Sequence, residues 1–161
     1  KNKIGRLPYV AKIKVDEKNL KFAKFQNKWI EIKNIKPLKY RNKDFFKDIK
    51  IFKNVKYKWG GKTYDGIDCS ALIQVCLNFN NKFCPRDSNI QKKFFKKNIN
   101  LKNIKKNDII YWNGHVALAL SNKKLIHAYG PLEKTIVMNI QQTVKLIKKT
   151  ANLKVISVKR I

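Results

Sequence analysis

Between Tyr57 and Cys76 the chain reads YKWGGKTYDGIDCSALIQVC, and lysine, which fills 34 of the 161 positions, retreats to Lys58 and Lys62. This stretch constrains the fold more than any other. Aromatic residues run into Gly60 and Gly61, where the backbone can approach other groups closely. Asp65, Gly66 and Asp68 are loop and cap residues, and Leu72, Ile73 and Cys76 recur at helical spacing from Cys69. The spacing predicts a glycine-rich turn that feeds a helix, with a cysteine at the helix start.

The flanking segments place this junction in an α+β chain. Upstream, YVAKIKV, LKFAKF and KWIEI alternate apolar and polar side chains, with QNK as a turn, and read as short β-strands of a small barrel or its remnant. Pro37 and LKYRNK read as a linker. Residues 44 to 55, DFFKDIKIFKNV, predict a helix with Phe45, Ile49 and Phe52 on one face. SNIQKKFFKK predicts another, capped by Ser88. DIIYW, HVALAL, KLIHAY and TIVM follow as strands, IQQTVKLIKK as an amphipathic helix and KVISVKRI as a last strand. Helices first and an antiparallel sheet afterwards define the α+β class. The division is a β module and linker over residues 1–40 and a main domain over 41–161.

Composition excludes several function classes. At 43% hydrophobic residues the chain is globular, and no apolar run approaches a membrane span. The N-terminal KNKIGRLPYV has neither the apolar core nor the cleavage site of a signal peptide, and no initiating Met precedes it. A net charge of +28 first suggests nucleic acid. The charge is spread, however: +9 over residues 1–40 and +19 over 41–161, with only Arg6, Arg41, Arg86 and Arg160 to supply bidentate readout. A solvated lysine surface with no specific nucleic-acid partner is the expectation. Cys69, Cys76 and Cys84 are odd in number and form no C-x-x-C, so neither a disulfide framework nor a zinc site is expected, and free thiols favour a cytoplasmic setting.

A thiol becomes a nucleophile as its thiolate, and a helix N-terminus lowers its pKa. Cys69 stands at such a start. The chain's two histidines, His115 and His127, both lie downstream on predicted strands. A cysteine at a helix start, a histidine on one strand and a polar residue on the next is the order of parts of a papain-like site. His115 would take the thiol proton and return it to the leaving amine, with His127 holding its ring. The competing reading is that Cys69, Leu72, Ile73 and Cys76 are simply one apolar core stripe.

YKWGG…DGIDCSALIQ, CPRDSNIQ, KKNDIIYWNGHVALAL and KLIHAYG together resemble, in order, the motifs of the NlpC-type cell-wall cysteine peptidases, and FAKFQNKWIEIKNIKPL resembles the end of the SH3-like module that precedes the peptidase domain in one bacterial subgroup. The resemblance implies a papain-like fold and a metal-free, cofactor-free hydrolysis of the γ-D-glutamyl–diamino acid bond in peptidoglycan stem peptides. It makes Cys69 the nucleophile, His115 the base, His127 the third polar residue and Tyr57 an oxyanion donor. It makes Asp68 and Ser70 the recognisers of the substrate's free amine and Trp59 a wall of the same pocket, with Arg86 and Ser88 near the site. Asp108 is expected to be structural, and Ala71 stands where the family commonly has Gly, narrowing the pocket. A monomer acting on free L-Ala-γ-D-Glu-diamino acid peptides is expected. The alternatives are an inactive relative that binds wall peptides and a basic nucleic-acid-binding protein.

Overall fold

A computed structural model describes residues 5–161; residues 1–4, the start of the predicted β module, lie outside the described residues. Its centre is a six-stranded antiparallel sheet built from β6 (Lys97–Asn98), β7 (Ile109–Trp112), β8 (His115–Ala119), β9 (Lys124–Tyr129), β10 (Lys134–Asn139) and β11 (Ser157–Arg160), in the order β10-β9-β8-β7-β11-β6. The middle strands are covered on both faces, which is why IIYW and HVALA read as unbroken apolar runs. Ile109, Tyr111, Val116, Leu118, Ile126 and Ala128 pack in one core with helix α1 (Cys69–Phe79). Ile110, Trp112, Ala117, Ala119, Leu125 and Tyr129 pack in a second core with α3 (Ile140–Ala151). The tight β7–β8 hairpin pairs Trp112 with His115 across Asn113 and Gly114, and Gly114 takes φ 71°. That left-handed turn is what glycine supplies without strain.

Helix α1 begins where the sequence places it. Asp68 is its N-cap and accepts from the Ala71 amide at 2.8 Å. Just before it, β4 (Lys62–Thr63) and β5 (Gly66–Ile67) form a two-stranded hairpin. A side chain at Gly61 would collide with the Gly66 carbonyl, so the paired glycines are the condition for this turn.

Three local expectations are corrected. Residues 44 to 55 form turns and a 3-10 segment, Ile49–Phe52, rather than an α-helix. The buried side chains are Phe46, Ile49 and Phe52, three residues apart, which is the 3-10 repeat, and Phe45 is only partly buried. YVAKIKV is not a strand: Ala11 N–H donates back to Pro8 at 3.0 Å, Val10 sits at φ 67°, and pairing starts with β1 (Glu17–Lys18). Tyr9 instead stacks on Phe79 at 4.8 Å and meets Phe52 edge-on at 5.7 Å, so this arm packs on the main core. In the third, α2 (Ser88–Phe94) has Asp87 at its cap position, and Ser88 is its first helical residue. LKFAKF and KWIEI do pair, as β2 (Phe22–Phe25) and β3 (Lys28–Glu31), with Gln26 and Asn27 at φ 45° and 58° in the turn. The linker is tied down as well: the Asn81 amide donates to the Leu38 and Tyr40 carbonyls at 2.7 and 3.2 Å.

Candidate active site

Cys69 lies in the first turn of α1, buried, and packs in the same core as Val116 on β8. Burial raises the thiol to about 11, with Asp68 adding to the rise and the amides of Val116, Ser70 and Cys69 itself opposing it. The helix start therefore moderates a desolvation effect that remains larger. The resting group is a neutral thiol.

The residue before Val116 is His115. Its Nε2 lies 2.9 Å from Nδ1 of His127 on the neighbouring strand β9. Burial, reinforced by His127, lowers His115 to about 3, and burial lowers His127 to about 4. Both rings are neutral near pH 7 and share one proton across this contact. If His115 keeps Nδ1 bare to act as a base, its proton is on Nε2 and is donated to His127. The proton of His127 is then on its own Nε2, which is buried and has no hydrogen-bond partner among the described residues.

The pair is boxed by aromatic rings. Trp112 lies 5.5 Å and Tyr129 5.2 Å from the His115 ring, and Tyr129 stacks on His127 at 5.1 Å with planes 13° apart. The Tyr129 hydroxyl is anchored to Thr150 on α3 at 2.5 Å. Sequence reasoning missed both aromatics. Their signals were register and period two: Trp112 pairs with His115, and Tyr129 follows His127 by two.

Tyr57 lies beside this junction, half-buried, with its hydroxyl pushed up to about 12 by burial and by the neighbouring Cys69 and Asp68. Its backbone amide donates to Glu133 at 2.7 Å, which fixes the segment against β10. Trp59, next to Gly60 in sequence, is 80% exposed.

Asp68 is more heavily engaged than its sequence position suggests. One oxygen accepts from Ala71 N (2.8 Å), Arg86 Nη1 (2.9 Å) and Ser70 Oγ (3.1 Å); the other accepts from Gly60 N (2.9 Å) and Arg86 Nη2. Burial works to raise this carboxyl, but the hydrogen bonds and charge of Arg86 outweigh it and hold the group below the usual range. Arg86 also donates to Ser70 Oγ at 2.9 Å and leaves 28% of its side chain exposed. Asp68, Ser70 and Arg86 thus form one cluster beside Cys69. Ser88 is buried nearby at the start of α2.

The remaining expected residues lie in the scaffold. Ala71 is wholly buried in the first core, so its methyl group fills the interior. Asp108 is buried and clamps Arg160 bidentately at 2.6 and 2.7 Å, consistent with a structural role. Cys76 and Cys84 are buried free thiols. Among the described residues no helix is long and apolar enough to cross a membrane, and no group of three or more His, Cys, Asp or Glu side chains could hold a metal ion.

The sequence profile of the NlpC/P60 family matches residues 54–152, a span that holds Cys69, both histidines and the Asp68–Arg86 cluster. The chain belongs to the NlpC/P60 family. This NlpC/P60 chain is 39% identical over 72 residues to dipeptidyl-peptidase 6 of Lysinibacillus sphaericus, a stretch covering 45% of this chain and 27% of that protein. It is 36% identical over 78 residues to a probable endopeptidase NlpC homolog of Haemophilus influenzae, covering 45% and 41%. The matched regions thus take in less than half of either curated relative. An NlpC/P60 family protein from Bacillus cereus has a similar structure, with a TM-score of 0.76 at 16% identity, over 96% of this chain and 55% of that one. The fold is the papain-like α+β fold of NlpC/P60 domains, with mixed helices and an antiparallel sheet.

Proposed function

We propose that the chain is a cysteine endopeptidase that cleaves the γ-D-glutamyl–diamino acid bond, commonly to meso-diaminopimelate, in peptidoglycan stem peptides. The observation that carries this reading is the seating of Cys69 at the start of α1 against β8, where His115 is hydrogen-bonded to His127 at 2.9 Å. Cys69 is the nucleophile and His115 the base. His127 is a positioning residue: by accepting from His115 Nε2 it keeps the other nitrogen bare.

In acylation the Cys69 sulfur bonds to the γ-carbonyl carbon as His115 takes the thiol proton. The negative charge on the carbonyl oxygen is met by the Tyr57 hydroxyl and the Cys69 backbone amide, donors of a kind worth about 3 kcal/mol each. Collapse breaks the C–N bond, and His115 delivers its proton to the departing amine of the diamino acid. Water then attacks the thioester, His115 takes a water proton, and the acid product leaves as the thiol is restored. Because the free enzyme holds a neutral thiol and a neutral imidazole, the charge pair arises only as the transition state forms.

Substrate recognition falls to the neighbouring cluster. Asp68 and Ser70 meet the free amine of the first residue, with Trp59 as the exposed wall and Arg86 and Ser88 behind them. Asp68 already holds Arg86, so an ammonium entering here displaces one arm of that pair. The β1–β3 hairpin sheet, with the linker, is the end of an SH3-like module over residues 1–40, ahead of a peptidase domain over 41–161, and the unit works as a monomer on free stem peptides. Release of L-Ala-γ-D-Glu from L-Ala-γ-D-Glu-meso-diaminopimelate, identified by mass, with none from Cys69→Ala or from the N-acetylated peptide, is the expected result. Binding of the peptide without cleavage by either protein would make the chain a wall-peptide-binding relative.

A further inference from the structure

Helix α2 is turned inside out. Its inward side chains are Ser88 and Gln91, both buried, and the Gln91 amide donates to the Ser70 and Pro85 carbonyls at 2.9 Å each. Its outward side chains include Ile90 and Phe94, 53% and 43% exposed and one turn apart. The Phe94 ring meets Phe83, itself 72% exposed, at 5.5 Å and Phe95 at 5.2 Å. A shallow cavity of about 290 Å³ opens between these rings and Leu77, Lys82 and Ile161. An amphipathic helix normally buries its apolar face. Here the polar face is committed to bracing the Cys69 loop, and the apolar face is left outside.

The border of this patch is cationic. Lys82 lines the cavity, and Lys93, Lys96 and Lys97, next to Phe94, Phe95 and each other in sequence, are exposed. From Cys69 to Asn107 the sequence carries nine basic residues and a single acid, Asp87. A second copy of the chain is a poor occupant, because a two-fold contact would set these lysines against themselves. A specific protein partner is also poorly served: the cavity lining has no side-chain acceptor, and Lys82 is its one side-chain donor. Lysines act as point charges on flexible stems rather than as oriented forks. Exposed aromatic and aliphatic groups ringed by mobile cations suit a surface that is itself fluid, apolar beneath and anionic on top.

We propose that the Phe83–Ile90–Phe94 patch, with Lys82, Lys93, Lys96 and Lys97, docks on the headgroup region of an anionic lipid bilayer. The inference does not depend on the proposed peptidase activity. Leu77, under the patch, is eight residues from Cys69 along α1, about 12 Å at the helical rise, so docking leaves the cysteine junction clear.

Co-sedimentation with vesicles of phosphatidylcholine, with and without an equal share of phosphatidylglycerol, tests this. The chain is expected to sediment with the anionic vesicles only. Phe83→Ser/Phe94→Ser is expected to weaken that binding about tenfold while melting at the same temperature, as two exposed apolar groups are lost. Phe83→Trp is expected to retain binding and to gain fluorescence that brominated lipid quenches. Replacing the four lysines with Gln is expected to weaken anionic-vesicle binding and to lessen its salt dependence, and unchanged binding would overturn the proposal. Anionic-vesicle binding that survives the double serine change would assign it to the diffuse +28 charge and overturn the proposal. So would the absence of vesicle binding, a Phe83→Trp fluorescence gain that brominated lipid leaves unquenched, or a dimer of the native chain that the serine changes dissociate.

Discussion

His115 Nε2 and His127 Nδ1, 2.9 Å apart, hold one proton between two buried imidazoles. In the proposed mechanism His115 serves as a base only while its Nε2 proton is given to His127, whose own Nε2 is then buried with no hydrogen-bond partner among the described residues. A buried unpaired donor costs about 1–3 kcal/mol, so this arrangement holds the required tautomer against a stability penalty. His127→Asn keeps an acceptor for His115 and should retain measurable turnover, whereas His127→Ala should lower kcat by about 100-fold or more with little change in KM. Steady-state kinetics on the tripeptide separate the two outcomes. The Cys69 thiol can be tested on its own. Burial raises its thiol to about 11, so alkylation by iodoacetamide should keep accelerating as pH rises from 7 toward 11. A plateau of high reactivity from about pH 4 upward would show a preformed thiolate–imidazolium pair instead.

At the scale of elements, the loop-to-helix junction carries the site. Asp68 caps α1, closes the glycine turn through Gly60 and anchors Arg86 with one side chain. Asp68→Ala should destabilise the chain by more than the ~1 kcal/mol typical of an N-cap, because it also strands a partly buried guanidinium. Denaturant unfolding of Asp68→Ala and of Asp68→Ala/Arg86→Ala checks this, and the double variant should be the more stable of the two. Much of this element was legible beforehand. The paired glycines, the acid and the helical spacing after Cys69 named the junction, and the apolar runs of β7 to β9 named the sheet, because strands covered on both faces leave no room for lysine. The failures have physical causes. In YVAKIKV, alternation with lysine arises readily in a chain with 34 lysines, and among the described residues no strand pairs with it. In residues 44–55, spacings of three and of four both fit the apolar residues, and packing chose three. The saturation of Asp68, the aromatic box around the histidines and the inverted α2 depend on tertiary partners that no local pattern encodes.

At the scale of the whole molecule, two buried neutral histidines link stability to pH. Their folded-state values, about 3 for His115 and about 4 for His127, lie below the ordinary 6.5. Between those values and 6.5 the unfolded chain binds protons that the folded chain does not, so stability is full above about pH 6.5 and falls with pH below it, by about 1.4 kcal/mol per unit for each histidine. Urea midpoints at pH 7 and pH 5 should show this loss, and His115→Asn/His127→Asn should reduce it. The N-terminal arm belongs to the same cooperative unit, since Tyr9 packs against Phe79 and Phe52. Tyr9→Ala should therefore cost about 2 kcal/mol in a single transition, rather than release residues 5–35 separately.

In the proposed mechanism Cys69 itself forms the bond to the substrate. Acid quenching of the chain during turnover of L-Ala-γ-D-Glu-meso-diaminopimelate, followed by intact-protein and peptide mass analysis, tests it most directly. An L-Ala-γ-D-Glu acyl adduct carried as a thioester on Cys69 is expected, absent from Cys69→Ala, which should make no product. Product formed by Cys69→Ala, or an adduct on any other residue, would contradict it.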